Sequence, residues 1–232
     1  MQDFYIKSKQ IVDEVLENNV KLTYELKKDG SLVTNVDESI DSKIRDLFLS
    51  YNPEDPLIIT EESFDDLTQK KFDVKNRDYL ILDPIDGTEN FNFLNNLFGV
   101  TCSARISKKE FHFIYRPKDN LFITMENILD VFKNTESKII FCSTGSYSKL
   151  NGIIKDYRDI RVIGSSATMF SYLLEGRGQA YVYLSNCKIW DCYTGLKLLS
   201  QIECFKISII NNEFNSWIKN PQLFTNFKVQ KI

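Results

Sequence analysis

The order of apolar and polar positions along the chain predicts two amphipathic helices followed by a sheet. Residues 3–18 place apolar side chains at helical spacing with charged ones between them, and a second stripe of this kind follows Asp37. Short apolar runs bounded by turn residues predict strands at 57–60, 79–82, 99–107, 110–115 and 121–125. The charged stretch 64–77 is expected to loop over the surface.

Beyond a polar stretch at 133–137, strands and helices are predicted to alternate. Strands are expected at 138–142, 161–163 and 179–184, and helices near 147–156, at 165–175 and at 190–200. Alternation of this kind is typical of α/β folds. The predicted fold is therefore an α/β (α+β) layered sandwich. Residues 1–135 form an N-terminal half with helices on an antiparallel sheet, and residues 136–232 form a C-terminal α/β half.

Composition and charge narrow the class of function. The 232 residues are 43% apolar and 26% charged, with a formal net charge of -3. These values are typical of a globular protein and argue against a nucleic-acid polymer as partner. No apolar run approaches the roughly 20 residues of a membrane span, and the N-terminus lacks a signal peptide's basic and apolar regions. A cytoplasmic protein that does not bind a membrane is therefore expected.

The cysteines and the histidine do not form a metal site of the zinc type. The five cysteines include no Cys-x-x-Cys pair, and His112 is the only histidine. Zinc is therefore disfavoured, and the thiols are interpreted as buried free cysteines. His112 lies in an alternating, strand-like run and is interpreted as structural.

The strongest candidate chemistry lies where an apolar strand ends in two aspartates. Asp83 and Asp86 are three residues apart. Pro84 between them and Gly87 after them break the extended chain, so a turn is expected to bring both carboxylates to one side. Gly87 and Thr88 lead into a predicted helix start, whose free N–H groups favour an anion. Carboxylate oxygens beside an anion site are what a magnesium phosphatase needs.

Each candidate residue also has a purely structural interpretation. An Asp-Pro turn with an aspartate helix cap explains the central segment equally well. Asp37 and Asp191 each precede or open a helix and fit N-caps, and Glu61-Glu62 fits a solvated turn. The spacing of Asp83 and Asp86 matches neither an EF-hand loop nor the one-residue separation in phosphatases that form an aspartyl-phosphate.

Five segments, taken in chain order, carry a family resemblance. They are Leu32-Val33-Thr34-x-x-Asp37, Glu61-Glu62-Ser63, Asp83-Pro84-Ile85-Asp86-Gly87-Thr88-x-Asn90-Phe91, Gly164-Ser165-Ser166-Ala167 and Ile189-Trp190-Asp191-x-x-x-Gly195. In this combination they resemble the inositol monophosphatase superfamily of Mg²⁺-dependent, lithium-sensitive phosphatases. The resemblance implies a metal-dependent phosphoric monoester hydrolase that uses a metal-activated water.

The resemblance also implies a set of metal ligands, in a site between the two halves. One Mg²⁺ would be held by Glu61, Asp83 and the carbonyl of Ile85, and a second by Asp83, Asp86 and Asp191. A third, weaker Mg²⁺ near Glu61 and Glu62 is left open, and Li⁺ is the expected inhibitor.

Catalytic and substrate-binding residues follow from the same resemblance. Thr88 and Asp37 would orient and deprotonate the attacking water, with Glu61 as the third catalytic residue. The N–H groups of Gly87 and Thr88 would bind the phosphate. Further substrate contacts are assigned to Gly164, Ser165 and Lys188.

The expected substrate is a 3'(2'),5'-bisphosphate nucleotide or an inositol monophosphate. Residues 183–186 lack the acidic residue that inositol-specific members carry, which favours the nucleotide. Lys188 is a candidate contact for a second phosphate, with an exposed loop lysine as the alternative. A homodimer is expected by resemblance. The alternative function is a catalytically retired phosphometabolite-binding or interaction protein, which the bulky residues after Asp191 and a trimmed C-terminus favour.

Overall fold

The computed structural model describes residues 2–18, 21–27, 30–63, 72–94, 96–150 and 157–232. The chain begins with helix α1 (Gln2–Asn18), continues through a hairpin of strands β1 (Tyr24–Leu26) and β2 (Leu32–Thr34), and enters helix α2 (Asn35–Leu49). Both predicted N-terminal helices are confirmed. Their apolar faces are buried, as the amphipathic pattern requires.

The first sheet contains five strands in the order in which they occur in the chain. These are β3 (Leu57–Thr60), β4 (Tyr79–Asp86), β5 (Gly99–Ile106), β6 (Lys109–Arg116) and β7 (Leu121–Thr124). Strand β3 pairs with β4 in parallel, and the other pairs are antiparallel. The expected antiparallel sheet is therefore mixed at its β3 edge, because residues 61–78 are long enough for the crossover that parallel neighbours need.

The second sheet has the order β11-β12-β10-β8-β9. Its strands are β8 (Ile139–Cys142), β9 (Asp159–Arg161), β10 (Ala180–Lys188), β11 (Phe205–Ile209) and β12 (Phe224–Lys231). Strand β8 pairs in parallel with β9 and β10, and β12 is antiparallel to β10 and β11. The other α-helices of the described residues are α3 (Ile128–Val131), α4 (Thr144–Tyr147), α5 (Ser166–Leu174), α6 (Ile189–Leu199) and α7 (Phe214–Trp217).

Helices and sheets alternate as layers, which confirms the predicted fold class. Helices α1 and α2 pack on one face of the first sheet, and α5 and α6 pack on its other face and also contact β10 of the second sheet. One hydrophobic cluster joins Tyr79 of the first sheet, Phe170 of α5, Leu196 of α6 and Phe227 of the second sheet. The division into halves at residue 135 stays a prediction, and this core runs across it.

Of two expectations for connecting segments, one is changed by the structure and the other lies largely outside the described residues. Of the predicted surface loop 64–77, residues 64–71 lie outside the described residues, whereas Phe72 and Val74 are buried in the main cluster rather than exposed. The helix expected near 147–156 falls largely outside the described residues, with α4 ending at Tyr147. None of the helices in the described part combines the length and apolarity that crossing a bilayer requires.

Candidate metal centre

A β-bulge in strand β4 brings Asp83 and Asp86 to the same side of the first sheet. Residues three apart in a regular strand face opposite sides. Here β4 continues through Asp86, and its pairing with β5 slips between Asp83, opposite Thr101, and Asp86, opposite Gly99. Three residue steps on β4 therefore match two on β5. The extra residue on β4 turns the side chain of Asp86 to the same side of the sheet as that of Asp83. The expected convergence is seen, but a bulge within the strand produces it rather than a turn after it.

The third carboxylate comes from α6. Asp83, Asp86 and Asp191 each offer a carboxylate oxygen, and these oxygens all lie within 4.8 Å of one another. Asp83 and Asp86 are buried, and Asp191 is half-buried. Burial and the negative charges of Glu61, Asp86 and Asp191 raise the pKa of Asp83 well above its ordinary value. Burial and the charges of Asp86 and Glu61 do the same to the pKa of Asp191.

Helix α5 holds one oxygen of Asp86 in place. Asp86 Oδ2 accepts a hydrogen bond from the Ser165 hydroxyl at 2.8 Å and another from the Ala167 N–H. Burial raises the pKa of Asp86 to about 6, while these donors, with the N–H of Ser166, oppose the rise. The arrangement places the positive end of α5 against a carboxylate and leaves the other oxygen of Asp86 for a different partner.

Asp37 and Thr88 form a hydrogen-bonded pair beside the carboxylates. Thr88 Oγ1 lies 3.1 Å from Asp37 Oδ1 and 3.0 Å from the carbonyl oxygen of Ile85. The N-cap of α2 is Thr34 rather than Asp37, which instead accepts the Thr34 N–H at 3.0 Å in a capping box. Burial raises the pKa of Asp37 to about 6, although the Thr34 hydrogen bonds oppose it.

Glu61 and Glu62 share a lysine that the sequence patterns did not indicate. Lys27 Nζ lies 3.1 Å from Glu61 Oε1 and 2.8 Å from Glu62 Oε1. Burial lowers the pKa of Lys27, but the two carboxylates outweigh it and keep that pKa above its ordinary value. Burial raises the pKa of Glu62 to about 7. The positive charge beside these glutamates therefore comes from the chain itself, at the position left open for a third cation.

A cavity of about 330 Å³ brings most of the sequence-predicted residues together. Its lining includes Glu61, Asp83, Ile85, Asp86, Gly87, Thr88, Gly164, Ser165 and Asp191. Asp37 lies behind Thr88, and Lys188 is absent from the lining. The Lys188 ammonium lies 5.2 Å from the centroid of the Trp190 ring, and its charge lowers the pKa of Asp191.

Gly87 is needed for the close approach of the two halves at this cavity. Its φ is +94°, and an added Cβ would lie 3.0 Å from Ser165 Cβ and 3.2 Å from the carbonyl oxygen of Gly164. A side chain at this position would be strained and would meet a neighbour on the opposite wall. The glycine therefore lets the loop after β4 lie directly against the segment that precedes α5.

Several lining residues had no signal in the sequence. Ser143, Thr144, Gly145, Tyr183 and Ser185 come from loops and strands of the second sheet that reach the cavity only through the fold. Small hydroxyl residues are common in loops, so their spacing along the chain did not distinguish them. The helix-cap interpretation of Asp191 is also revised, since Lys188 is the N-cap residue of α6 and Asp191 follows in the first turn.

The carboxylate cluster fits a hard divalent cation. Asp83 Oδ1 is buried and has no hydrogen-bond partner among the described residues. Buried polar atoms without partners are rare, and three carboxylates brought this close repel one another unless a cation lies between them. Oxygen-only donors are those that Mg²⁺ prefers. These residues are therefore suited to hold such an ion.

The comparisons with known proteins point to one family. Residues 2–101 match the model of the inositol monophosphatase family. The Nus factor SuhB of Pasteurella multocida is 27% identical over 210 residues, covering 82% of this chain and 76% of the relative. The 3'(2'),5'-bisphosphate nucleotidase CysQ of Haemophilus influenzae is 26% identical over 186 residues, covering 72% of this chain and 68% of that protein.

Solved structures show the same fold. A Staphylococcal inositol monophosphatase-1, in a complex soaked with 100 mM LiCl, superposes with a TM-score of 0.76 at 18% identity, covering 96% of this chain and 86% of that one. An IMPase/NADP phosphatase with NADP and Ca²⁺ gives a TM-score of 0.78 at 18% identity, covering 99% and 90%. At this level of identity the likeness establishes the architecture.

Proposed function

We propose that this chain is a Mg²⁺-dependent phosphomonoesterase of the inositol monophosphatase superfamily, with its metal centre at Asp83, Asp86 and Asp191. The observation that carries the proposal is the convergence of these three carboxylates with an unpartnered oxygen of Asp83. Glu61, which lines the same cavity, and the carbonyl of Ile85 complete the proposed ligand set.

Divalent ions held by Asp83, Asp86, Asp191 and Glu61 would supply positive charge for the phosphate and would favour deprotonation of the attacking water. The chain's own groups then orient the reaction. The single hydroxyl hydrogen of Thr88 has two acceptors within reach, Asp37 Oδ1 and the Ile85 carbonyl oxygen, which hold the hydroxyl at the cavity wall. We assign Thr88 to orienting the water and Asp37 to accepting a proton through Thr88. Asp37 suits this role because burial brings its pKa to about 6.

The phosphate is proposed to lie at Gly87 and Thr88, which line the cavity and whose backbone N–H groups are the proposed donors. The carboxylates alone repel an anion, so we expect no phosphate binding in EDTA. Gly164 and Ser165 form the opposite wall. The Ser165 hydroxyl is already engaged with Asp86, so we assign it to holding that ligand as well as to the substrate site.

For the substrate we propose a 3'(2'),5'-bisphosphate nucleotide or an inositol monophosphate. Tyr183 and Ser185 line the cavity where a carboxylate for a polyol ring would be expected, which favours the nucleotide. Lys188 remains a proposed contact for a second phosphate, although its side chain lies over Trp190. A cytoplasmic location, a homodimer and inhibition by Li⁺ stay predictions.

The discriminating experiment is a phosphate-release panel with Mg²⁺. It compares 3'-phosphoadenosine 5'-phosphate, inositol 1-phosphate and fructose 1,6-bisphosphate, each with and without EDTA, for the wild type, Asp83→Asn and Asp130→Asn. We expect phosphate release only with Mg²⁺. Asp83→Asn should lose this activity, whereas the exposed control Asp130→Asn should keep it. Full turnover in EDTA, or an active Asp83→Asn, would refute the proposal. Mg²⁺ binding without turnover of any substrate would favour the retired, phosphometabolite-binding alternative.

A further inference from the structure

The geometry of the carboxylate cluster depends on how α6 lies on the first sheet. Asp83 and Asp86 share strand β4, so the backbone between them sets their separation. Asp191 is carried by α6, whose contacts with β4, β5 and β6 place it. Something at the end of α6 that carries Asp191 must therefore hold the helix in register with β4.

Thr101 is placed to do this. It lies on β5 directly opposite Asp83 in the strand register, and its side chain is 1% exposed. Its hydroxyl donates a hydrogen bond of 2.9 Å to the carbonyl oxygen of Trp190, the residue that precedes Asp191. The buried Thr101 hydroxyl thus connects the strand neighbour of Asp83 to the peptide that precedes Asp191.

Two further polar contacts follow along the same face of α6. Thr194 Oγ1 lies 2.8 Å from Ser103 Oγ, which in turn lies 2.8 Å from Nδ1 of the buried His112. Lys197 Nζ lies 2.8 Å from Glu110 Oε2. Residues 190, 194 and 197 recur at helical spacing, so each turn of α6 has one contact with the sheet. The Thr101 contact is the one at the end that carries Asp191.

The Trp190 carbonyl oxygen has a hydrogen-bond donor within its own helix and does not need Thr101 to supply one. It lies in the first turn of α6, where a helical carbonyl accepts the N–H four residues later. Valine has nearly the same shape as threonine, so filling the space does not require a hydroxyl either. What the hydroxyl adds is a directional contact between β5 and α6.

From these contacts we propose that Thr101 is a positioning residue that fixes Asp191 relative to Asp83 and so sets the affinity of the centre for Mg²⁺. The inference rests on the proposed function, because it assumes a cation at these carboxylates. Thr101 touches neither the ion nor the substrate. Partners that orient metal ligands typically contribute 10–100-fold to metal affinity.

The test compares Thr101→Val with Thr194→Val by isothermal titration of Mg²⁺ into substrate-free protein. Each variant removes one buried hydroxyl contact between the sheet and α6. Thr101→Val removes the contact at the Asp191 end of the helix, and Thr194→Val removes the contact one turn further along. We expect Thr101→Val to weaken Mg²⁺ binding about tenfold, Thr101→Ser to restore it, and Thr194→Val to keep wild-type affinity. Urea unfolding in EDTA should show similar stability for the two valine variants.

Two results would overturn the inference. One is a Thr101→Val affinity within about twofold of the wild type, which is small beside the effect expected of a residue that orients a metal ligand. The other is an equal loss in Thr194→Val, which would assign the effect to general loosening of α6. If Thr101→Val does not fold, Thr101→Ala carries the same expectation. Wild-type protein that binds no Mg²⁺ would instead contradict the proposed function.

Discussion

Asp83 is the residue at which burial and charge oppose each other most strongly. The residue is 1% exposed, one of its carboxylate oxygens has no partner among the described residues, and burial together with four acidic neighbours raises its pKa. An arrangement of this kind lowers the stability of the metal-free protein, because like charges are held together away from water. Such conflicts persist in proteins where function requires them.

We therefore expect Asp83→Asn to be inactive and, without metal, more stable than the wild type. The amide removes one of the converging charges, so the free energy of unfolding in EDTA at pH 7.5 should rise by roughly 1 kcal/mol, while phosphatase activity falls at least about 100-fold. Urea unfolding and phosphate release measure the two effects. An equally stabilised Asp130→Asn variant would show that the gain does not come from the cluster.

The same charges predict that metal-free stability falls as the pH rises. Burial raises the pKa of Asp37 and of Asp86 to about 6 and that of Glu62 to about 7. A carboxyl with a higher pKa when folded holds its proton more tightly when folded. Its stabilising contribution is complete below the unfolded-state pKa and is lost as the pH rises through the folded-state pKa. Burial lowers the pKa of His112, so this one residue contributes a stability that increases with pH, against the trend of the carboxyl groups.

The measurement is urea unfolding in EDTA between about pH 4 and pH 7, because the loss begins near the ordinary pKa values of 3.8 and 4.5 and runs through the raised values of about 6 and 7. We expect the wild type to lose stability across this interval, Asp86→Asn to lose less, and excess Mg²⁺ to flatten the dependence. Stability that increases with pH over this interval would contradict the assignment of raised pKa values to the cluster.

At the scale of single elements, the start of α2 combines a helix cap with hydrogen bonds that hold Asp37, a proposed catalytic residue. The Thr34 hydroxyl accepts from the N–H groups of Val36 and Asp37 and donates to Asp37 Oδ2. The other oxygen of Asp37 faces Thr88. The cap contact and the Thr88 contact therefore use different oxygens of one carboxylate, so the structural interpretation of Asp37 is compatible with the proposed catalytic one.

Thr34→Ala is expected to destabilise the protein by about 1 kcal/mol, the usual cost of losing a side-chain cap, and to lower the rate of phosphate release. The rate falls because Asp37 loses a donor that holds its side chain in place. Thr34→Ser keeps the hydroxyl and serves as the control for both measurements. A Thr34→Ala variant that loses stability but keeps the full rate would separate capping from catalysis.

Helix α6 shows why one glycine of the motif is required by packing. A Cβ on Gly195 would lie 2.2 Å from Cδ2 of the Phe170 ring on α5. In an isolated helix, replacing glycine by alanine stabilises by about 1 kcal/mol. Here the ring blocks the added methyl, because α5 and α6 approach closely between the two sheets.

We expect Gly195→Ala to destabilise by about 1–3 kcal/mol, the range seen for overpacked cores. The sign of the change distinguishes tertiary packing from helix propensity. Combining it with Phe170→Leu should recover part of the loss, since the smaller side chain leaves room for the methyl. Thermal unfolding of the two variants measures both effects, and a stabilised single variant would contradict the close approach.

At the scale of the whole molecule, α5 and α6 connect the two sheets through one continuous core. Tyr79 and Ile81 of the first sheet share a hydrophobic cluster with Tyr181 and Val229 of the second. The carboxylate cluster spans the same boundary, since Asp191 lies on the C-terminal side and its two partners on the N-terminal side. Folding and assembly of the metal centre are therefore expected to depend on each other.

This coupling predicts a single cooperative unfolding transition that Mg²⁺ shifts upward. Near- and far-UV circular dichroism should report the same midpoint. Mg²⁺ at 100 times its dissociation constant should add about 2.7 kcal/mol. Two separate transitions, with only one sensitive to Mg²⁺, would show that the halves unfold independently.

Local patterns along the chain determined much of the fold. Helical spacing located α1, α2, α5 and α6, and apolar runs located the strands of the first sheet, because secondary structure follows the periodicity of buried positions. The C-terminal elements β11, α7 and β12 were not predicted. Their strands lie at or next to an edge of the second sheet and alternate buried with partly exposed positions, so their apolar runs are short.

Motif residues identified the acidic residues that are proposed as metal ligands, but only the tertiary structure decided how they meet. A bulge in β4 brings Asp83 and Asp86 to one face, although their spacing alone would place them on opposite faces. The contacts of Lys27 with two glutamates and of Thr101 with Trp190 join positions far apart in the chain. The sequence by itself determined which groups are available, because chemistry resides in side chains. Their distances depend on strand register and helix packing, which are properties of the whole fold.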